Sequence, residues 1–191
     1  MGELVDFGAD FDAIFGDWRL LTDMSQLYNW VVAQLLKPVS PRQPLGPALF
    51  NSIARLSMNV GVDVVALRTG SSGVLEVFST KRGAKEKAAP NVWHVPGTIL
   101  RPHEDFQVGF RRLETWELGV SIAHATLIDE AFASDERGSY LMKTFLVTLE
   151  HDPPVGRWFS VEALPMDYFA LHRDRTIPVA VRAYLRSGLA S

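Results

Sequence analysis

The pattern of apolar and polar residues divides the chain into a helical first part and a second part dominated by strands. Between 24 and 36, apolar residues recur at the three- and four-residue spacing of one helix face, and Pro38 ends the predicted helix. Residues 37–47 contain four prolines and indicate a linker, while 48–56 have the spacing of a further short helix. Residues 1–20 mix acidic and aromatic side chains, which allows either a short helix or an extended segment.

Beyond this linker, β-branched and alternating runs predict strands. Residues 62–70 and 74–82 are expected to form a hairpin around a Gly-Ser-Ser-Gly turn. Residues 92–100 predict a short strand that a Pro-Gly pair interrupts. Residues 120–133 and 139–150 predict two further strands on either side of a polar loop.

Two helices accompany these strands. Residues 104–119 predict one helix, and Gly119 is suited to the left-handed conformation that ends it. A last helix is expected near 175–187. Strands that flank one helix, with another helix at the end, predict an α/β sandwich. We expect an N-terminal helical extension and proline-rich linker over 1–55, followed by one domain over 56–191.

Composition narrows the class of protein. The chain has 191 residues, of which 47% are apolar and 21% charged, as in globular proteins. The net charge of -3 offers no basic surplus for a nucleic acid duplex. The absence of cysteine excludes disulfides, thiol catalysis and cysteine-based zinc sites. No apolar run approaches the roughly 20 residues of a membrane span, and the acidic start lacks the basic residues of a secretory signal. We expect a cytoplasmic protein without a membrane partner.

A fixed spacing of polar residues marks the helix predicted over 104–119. Glu104 is followed after seven residues by Arg112, and Glu117 and Gly119 complete the pattern. The chain here resembles the Nudix superfamily, whose signature is Gly, five residues, Glu, seven residues, then Arg-Glu-apolar-x-Glu-Glu-x-Gly-apolar. The resemblance covers about residues 60–187. It implies a Nudix α/β/α sandwich with a mixed sheet.

The same stretch departs from the signature at its acidic positions. Thr98 stands where the first Gly is expected, and the three helix acids correspond here to Leu113, Trp116 and Glu117. Only one acid of the three is present. Since carboxylates three and four residues apart share one helix face, the signature normally gathers Mg²⁺ or Mn²⁺.

One branch of the superfamily departs in a similar way. GDP-mannose mannosyl hydrolases have Arg-Leu-Thr-x-x-Glu-Leu-Gly in this helix, and this chain has Arg-Leu-Glu-Thr-Trp-Glu-Leu-Gly over 112–119. In that branch water attacks the sugar carbon and displaces the nucleoside diphosphate. Because cations make the diphosphate a good leaving group, the resemblance implies that fewer metal ligands suffice.

The resemblance assigns roles to individual residues. It implies Mg²⁺ or Mn²⁺ held by Glu117, by a carbonyl of the Pro-Gly turn at Gly97, and by Glu150. It implies His151 as the general base, because the branch has Gln-His-Asp shortly before Arg-Trp and this chain has Glu-His-Asp and then Arg-Trp at Arg157. A histidine base suits a pKa near neutrality.

Further residues are expected around the substrate. Asp63 corresponds to an acidic residue of the first strand that supports the sugar site. Arg82, in a Lys-Arg pair at the end of the second strand, and Arg112 correspond to arginines that stabilise the diphosphate. Trp116 replaces an acid, and its ring could stack on a base or sugar. Each of these residues also has a structural interpretation, as a core, bracing or solvated side chain. His94 and His172 show no ligand spacing and are interpreted as structural or exposed.

Three functional hypotheses follow. The first is a divalent-metal-dependent Nudix-like hydrolase of a nucleotide-type small molecule, a nucleoside diphosphate linked to another moiety such as a sugar. The second is a catalytically silent Nudix-fold module that binds a nucleotide or a protein. The third is a standard pyrophosphohydrolase in which a shifted helix presents Glu114 and Glu117 together. A homodimer is a further expectation, because Nudix proteins often dimerise.

Overall fold

The computed structural model divides the chain into two compact units, Met1–Gln43 and Pro44–Ser191. The described part of the first unit contains helix α1, Met24–Leu36, with the bounds that the apolar spacing predicted. The expectation for residues 1–20 lies outside the described residues, and a domain boundary after residue 55 stays a prediction. The structure describes residues 24–40, 43, 45–84, 86, 89–135 and 138–188.

The second unit combines helices with one mixed sheet, and its described elements follow in chain order. They are α2 (Pro47–Ala54), β1 (Met58–Thr69), β2 (Leu75–Lys81), β3 (Trp93–His94), β4 (Gly97–Ile99), α3 (Phe106–Leu113), the π-helical turn π1 (Glu114–Leu118), β5 (Ile122–Asp135), β6 (Gly138–Leu149), β7 (Arg157–Ser160), the π-helical turn π2 (His172–Thr176) and α4 (Ile177–Arg186).

The sheet has the strand order β3-β2-β1-β6-β5, with β4 paired to β1 and β7 paired to β2. β1 and β6 run parallel, from Met58 opposite Ser139 to Ala66 opposite Val147. The remaining pairings between named strands are antiparallel, including the predicted hairpin β1–β2 and the pairing of the predicted strands β5 and β6. The sheet is therefore mixed, as predicted.

β1 is the central strand, and its side chains pack into two separate hydrophobic cores. Successive side chains of a strand point to opposite faces. Val64 belongs to the core that α3 covers through Phe110, whereas Val65 belongs to the core that α4 covers through Ile177. Helices thus bury both faces of the sheet, and the predicted α/β/α sandwich is confirmed. The same two-sided burial explains why β1 reads as a nearly continuous apolar run.

The helix predicted over 104–119 is shorter and changes form before its end. Asp105 caps α3, because its side chain accepts a hydrogen bond of 2.9 Å from the Val108 amide. The last turn is π-helical, and the Gly119 amide donates to the Glu114 carbonyl at 2.8 Å. Gly119 has φ 67°, so its predicted left-handed conformation is confirmed.

The last predicted helix also begins with a π-helical turn, so that π2 and α4 together occupy the region expected near 175–187. β7 lies in a segment for which no strand was predicted, and it adds Arg157 and its neighbours to the edge of β2. Among the described residues, no helix combines the length and apolar character needed to cross a bilayer.

Candidate functional site

Arg112 on α3 ties the helix to the turn that precedes it. Its guanidinium donates to Thr98 Oγ1 and the Ile99 carbonyl at 2.8 Å each, and to Glu104 Oε2 at 2.7 Å. Burial would raise the pKa of Glu104, but hydrogen bonds from the Arg101 amide and from Arg112 outweigh it and hold that pKa below its ordinary value. The guanidinium of Arg112 therefore braces the turn from within the protein.

A cavity of about 470 Å³ opens beside this turn. It brings together four of the predicted site residues, namely Arg82, Gly97, Trp116 and Glu117. These come from the end of β2, from β4 and from π1, which shows how the fold assembles residues that are distant in sequence. The full lining consists of Thr80, Lys81, Arg82, Glu86, Trp93, His94, Gly97, Trp116, Glu117, Val155, Gly156 and Arg157.

The carboxyl group of Glu117 is half-buried, and few hydrogen bonds or positive charges stabilise its ionised form. Its Oε2 accepts from the Gly97 amide over 3.4 Å, which is longer than an ordinary N–H···O bond. Burial raises the pKa of Glu117 to about 7, and the carboxylates of Glu86 and Asp63 act in the same direction, against the Gly97 amide and Arg82. Near neutral pH this carboxyl is therefore shared between its protonated and ionised forms.

Three cationic side chains surround the same cavity. Arg82 pairs with Glu86, and its Nε is buried without a hydrogen-bond partner among the described residues. Lys81 donates to Asp167 at 3.1 Å. Arg157, on β7, is exposed and forms no ion pair with the residues that the structure describes. Lysine and arginine side chains grouped in this way suit an anion such as phosphate.

Trp116 presents an aromatic surface at the mouth of the cavity. Its side chain is 66% exposed, which is unusual for an indole. The guanidinium of Arg101 lies 5.6 Å from the ring centroid. An exposed indole beside cationic groups suits a ligand that has both a ring and phosphates.

Glu150 and His151 lie at a different place, where β1 and β6 end. They line a second cavity, of about 550 Å³, together with Arg68 and Trp158. Arg68 donates to the two carboxylate oxygens of Asp152 at 2.8 Å and 2.7 Å and lies 4.1 Å from the Trp158 ring centroid. The structure therefore does not bring the predicted base and the predicted third metal ligand to the cavity that holds Glu117.

Glu114 also points away from the Glu117 cavity. Its Oε1 accepts from the Ile122 amide at 2.8 Å, which ties π1 to the start of β5. The arrangement in which Glu114 and Glu117 share one metal ion is thus not the one that the structure shows.

Asp63 lies behind the cavity rather than on its surface. It is 5% exposed within β1, opposite Gly97 of β4. The Nε2 of His172, which is also buried, lies 3.4 Å from Asp63 Oδ2. The residues around His172 in the sequence show no ligand spacing, so the sequence predicts no function for this histidine. Its surroundings depend on π2, which the apolar pattern does not predict.

His94 is a neutral polar group on the cavity wall. Burial is the main cause that lowers the pKa of His94 to about 3, and the positive charge of Arg82 acts in the same direction. Its Nε2 lies 3.2 Å from Thr80 Oγ1, which is also buried. In the sequence, His94 lies between Trp93 and Val95 in a predicted strand, and this apolar setting was the available signal that its side chain is buried and hydrogen-bonded.

The residues present decide what kind of metal site is feasible. Within the part of the chain that the structure describes, no three His, Asp or Glu side chains come close enough to hold a metal ion. Glu117 supplies one poorly compensated carboxylate. Mg²⁺ is commonly held by one or two carboxylates together with substrate phosphates and waters. The site therefore fits a divalent ion shared with bound phosphates and does not fit a cage of protein carboxylates.

Comparison with solved structures identifies the fold. The MutT NUDIX hydrolase from Burkholderia pseudomallei is similar with a TM-score of 0.53 and 20% identity, over 65% of this chain and 97% of that chain. A NUDIX hydrolase from Nitrosomonas europaea is similar with a TM-score of 0.53 and 18% identity, over 69% of this chain and 90% of that chain. NrtR from Shewanella oneidensis, complexed with a 27mer DNA, is similar with a TM-score of 0.54 and 14% identity, over 67% of this chain and 63% of that chain. The protein has the fold of the Nudix hydrolases, as predicted.

The sequence itself gives no further identification. No protein-family model matches it, and the curated proteins contain no match. At the identities found, similarity of structure establishes the fold alone. The absence of a nucleic acid duplex as partner, the homodimer and the cytoplasmic location accordingly stay predictions.

Proposed function

We propose that this protein is a Nudix-type hydrolase of a nucleoside diphosphate linked to another moiety, such as a sugar. The observation that carries the proposal is the cavity beside Gly97. It combines three cationic side chains, an exposed indole and one poorly compensated carboxyl group. These are the groups that a phosphate-bearing ligand with a ring requires.

The diphosphate is assigned to the cationic wall. Arg157 has no ion pair among the described residues, so binding a phosphate there breaks no existing pair. Arg82 already pairs with Glu86, and a phosphate would compete with that carboxylate. Arginine suits this role because its planar guanidinium can donate two hydrogen bonds to one phosphate.

The ring of the substrate is assigned to Trp116. The indole is exposed at the cavity mouth and is held on one side by Arg101. A base or sugar that stacks there would bring its phosphates toward Arg82 and Arg157, which line the same cavity. The indole thus has a use at a position where the Nudix signature has an acid.

A divalent ion, Mg²⁺ or Mn²⁺, would be held by Glu117, the Gly97 carbonyl and the substrate phosphates. When bound, it would neutralise the diphosphate and favour its departure. Glu150 and His151 lie at the other cavity, so we give them no role in holding this ion or in activating water.

Of the three helix positions at which the Nudix signature has acids, only that of Glu117 is acidic here. This supports attack at carbon rather than at phosphorus. In that reaction the oxygen of water bonds to the sugar carbon, and the bond between that carbon and the diphosphate oxygen breaks. The products are a free sugar and a nucleoside diphosphate. Attack at phosphorus would instead release a sugar phosphate and a nucleoside monophosphate.

The test is turnover of a panel of nucleotide sugars with Mg²⁺ or Mn²⁺, followed by product analysis. We expect free sugar and nucleoside diphosphate from the wild type and loss of both in Glu117→Gln. Glu114→Gln is the matched control in the same π-helical turn, because a glutamine there can still accept from the Ile122 amide. Equal activity in the two variants would remove Glu117 from the mechanism.

Other products would change the assignment. Release of a sugar phosphate and a nucleoside monophosphate would show attack at phosphorus instead of carbon, and the protein would still be a hydrolase. No turnover by a folded protein over the whole panel would overturn the enzyme. Calorimetric binding of the same nucleotides without turnover would then support the silent nucleotide-binding module.

A further inference from the structure

A buried histidine and a buried aspartate stand directly behind the turn that carries Gly97. The side chains of His172 and Asp63 are each only 6% exposed, and Nε2 of the histidine lies 3.4 Å from Oδ2 of the aspartate. Neither residue lines the cavity to which the substrate is assigned. Two ionisable side chains are thus buried next to the site with no part in the reaction described so far.

The hydrogen bond that the His172 ring accepts fixes which ring nitrogen carries the proton. The Val95 amide donates to His172 Nδ1 at 3.1 Å. A nitrogen that accepts a hydrogen bond carries no proton, so in the neutral ring the proton resides on Nε2. That N–H faces Asp63 Oδ2. His172 therefore connects the backbone between β3 and β4 to the carboxylate of Asp63 on β1.

The other oxygen of Asp63 touches the turn itself. A Cβ placed on Gly97 would lie 2.6 Å from Asp63 Oδ1, which means that this oxygen is in close contact with the glycine backbone. The amide of the same glycine donates to Glu117 Oε2. Gly97 is thus enclosed between two carboxyl groups, one behind it and one in the cavity.

Both ends of this chain of contacts come from π-helical turns. Glu117 belongs to π1 and His172 to π2. A π-helical turn holds one residue more than the corresponding α-helical turn and is often found at functional sites. Glu117 accepts from the Gly97 amide at the start of β4, and His172 accepts from the Val95 amide two residues earlier.

We propose that His172 is a positioning residue, which holds the Asp63 carboxylate against Gly97 and so fixes the amide that orients Glu117. The part of this statement that concerns catalysis rests on the proposed hydrolase function. The part that concerns the position of Gly97 does not. A ring that only filled space would not require its two nitrogens to face a donor and an acceptor.

Two substitutions separate hydrogen bonding from filling of space. His172→Gln can accept from the Val95 amide through its carbonyl oxygen and donate to Asp63 through its amide. His172→Phe fills the volume of the ring and offers neither bond. We expect His172→Phe to lower kcat by about tenfold or more with KM nearly unchanged, because small displacements of reacting groups are costly. We expect His172→Gln to restore most of kcat.

A second measurement is independent of turnover. In ¹⁵N-labelled protein, the Gly97 amide resonance and its hydrogen-exchange protection report the position of the turn directly. We expect both to change in His172→Phe and to stay close to wild type in His172→Gln. An unchanged Gly97 amide in folded His172→Phe would overturn the proposal, whatever the activity. Absence of turnover already in the wild type, with the expected amide changes in His172→Phe, would count against the hydrolase and not against the positioning role.

Should His172→Phe fail to fold, Asp63→Asn provides the same test from the other side of the pair. Asparagine keeps the volume and can accept from His172, but it removes the charge that faces Gly97. We expect a shifted Gly97 amide and a lower kcat in this variant as well. A Gly97 amide that keeps its wild-type resonance in Asp63→Asn would overturn the proposal.

Discussion

The backbone of Gly97 lies against the carboxylate of Asp63 on the neighbouring strand. A methyl group on Gly97 would come within 2.6 Å of Asp63 Oδ1 and 3.1 Å of the Val62 carbonyl oxygen. Gly97 is not in the left-handed region, so the glycine is required by close approach and not by its backbone angles.

Gly97→Ala is therefore expected to destabilise the protein by about 1–3 kcal/mol, the usual cost of forcing an extra group into a packed region. Urea denaturation measures this change. Gly83→Ala is the matched control, because a Cβ there would meet nothing closer than 3.9 Å. Equal free energies of unfolding for the two variants would contradict the close contact.

Glu117 is expected to make stability depend on pH. Its pKa is about 7 in the folded protein against an ordinary value of 4.5, so the folded state binds more protons between these values. The contribution of Glu117 to stability is then greatest below pH 4.5 and is lost as the pH rises toward 7. Glu117→Gln removes this loss. At pH 8 we expect the free energy of unfolding of this variant to exceed that of the wild type by on the order of 1–2 kcal/mol, a value reduced because water reaches part of the carboxyl.

Urea midpoints at pH 5 and pH 8 test this prediction. The difference between Glu117→Gln and the wild type should grow with pH, whereas Glu162→Gln, at an exposed position, should show no such trend. A difference that is the same at both pH values would mean that Glu117 titrates as an ordinary carboxyl.

Arg112→Lys is expected to destabilise the turn although it keeps the charge. A lysine cannot make the three hydrogen bonds to Thr98, Ile99 and Glu104, and it leaves a largely buried carboxylate poorly paired. We expect a loss of about 2 kcal/mol or more in the free energy of unfolding. Arg111→Lys, at the adjacent exposed position, should change it by less than about 0.5 kcal/mol. Thermal and urea unfolding of the two variants give the comparison.

Trp116→Glu is expected to create a stronger metal site. It places a second carboxyl next to Glu117, at the cavity and at a position where the Nudix signature has an acid. Because affinity rises with the number of charged ligands, we expect Mn²⁺ to bind about tenfold more tightly or better. Calorimetry with Mn²⁺ measures the change, and Thr115→Glu, whose position does not line the cavity, is the control. Equal affinities in both variants would show that Trp116 does not face the ion.

The sequence predicted those features that depend on periodicity and spacing. The apolar repeat predicted α1, and the β-branched and alternating runs predicted the hairpin β1–β2 and the strands β5 and β6. Gly119 was predicted to end the helix in the left-handed conformation, and it does so. These are local or pairwise properties, so one pattern in the sequence suffices to find them.

The parts that were missed depend on how elements meet. Neither π-helical turn follows from a spacing of three or four residues, and both Glu117 and His172 are placed by such turns. By resemblance, Glu150 was assigned to the metal site and His151 to the role of general base. β6 ends at Leu149, and the Glu150 amide donates to the Ser121 carbonyl at 3.1 Å, which ties this segment to the start of β5 and away from the Glu117 cavity. A motif in the sequence gives the residue types but not the path of the loop that carries them.

The parallel pairing of β1 with β6 has a consequence for synthesis on the ribosome. The two strands that form the middle of the sheet are separated by about 80 residues. At translation rates of about 5–20 residues per second, β1 waits roughly 4–16 s for its partner. During that interval β2 and β4 can pair with one edge of β1, while the edge that later pairs with β6 stays open. The newborn chain is therefore expected to need a chaperone at this stage, well before any ligand could influence its folding.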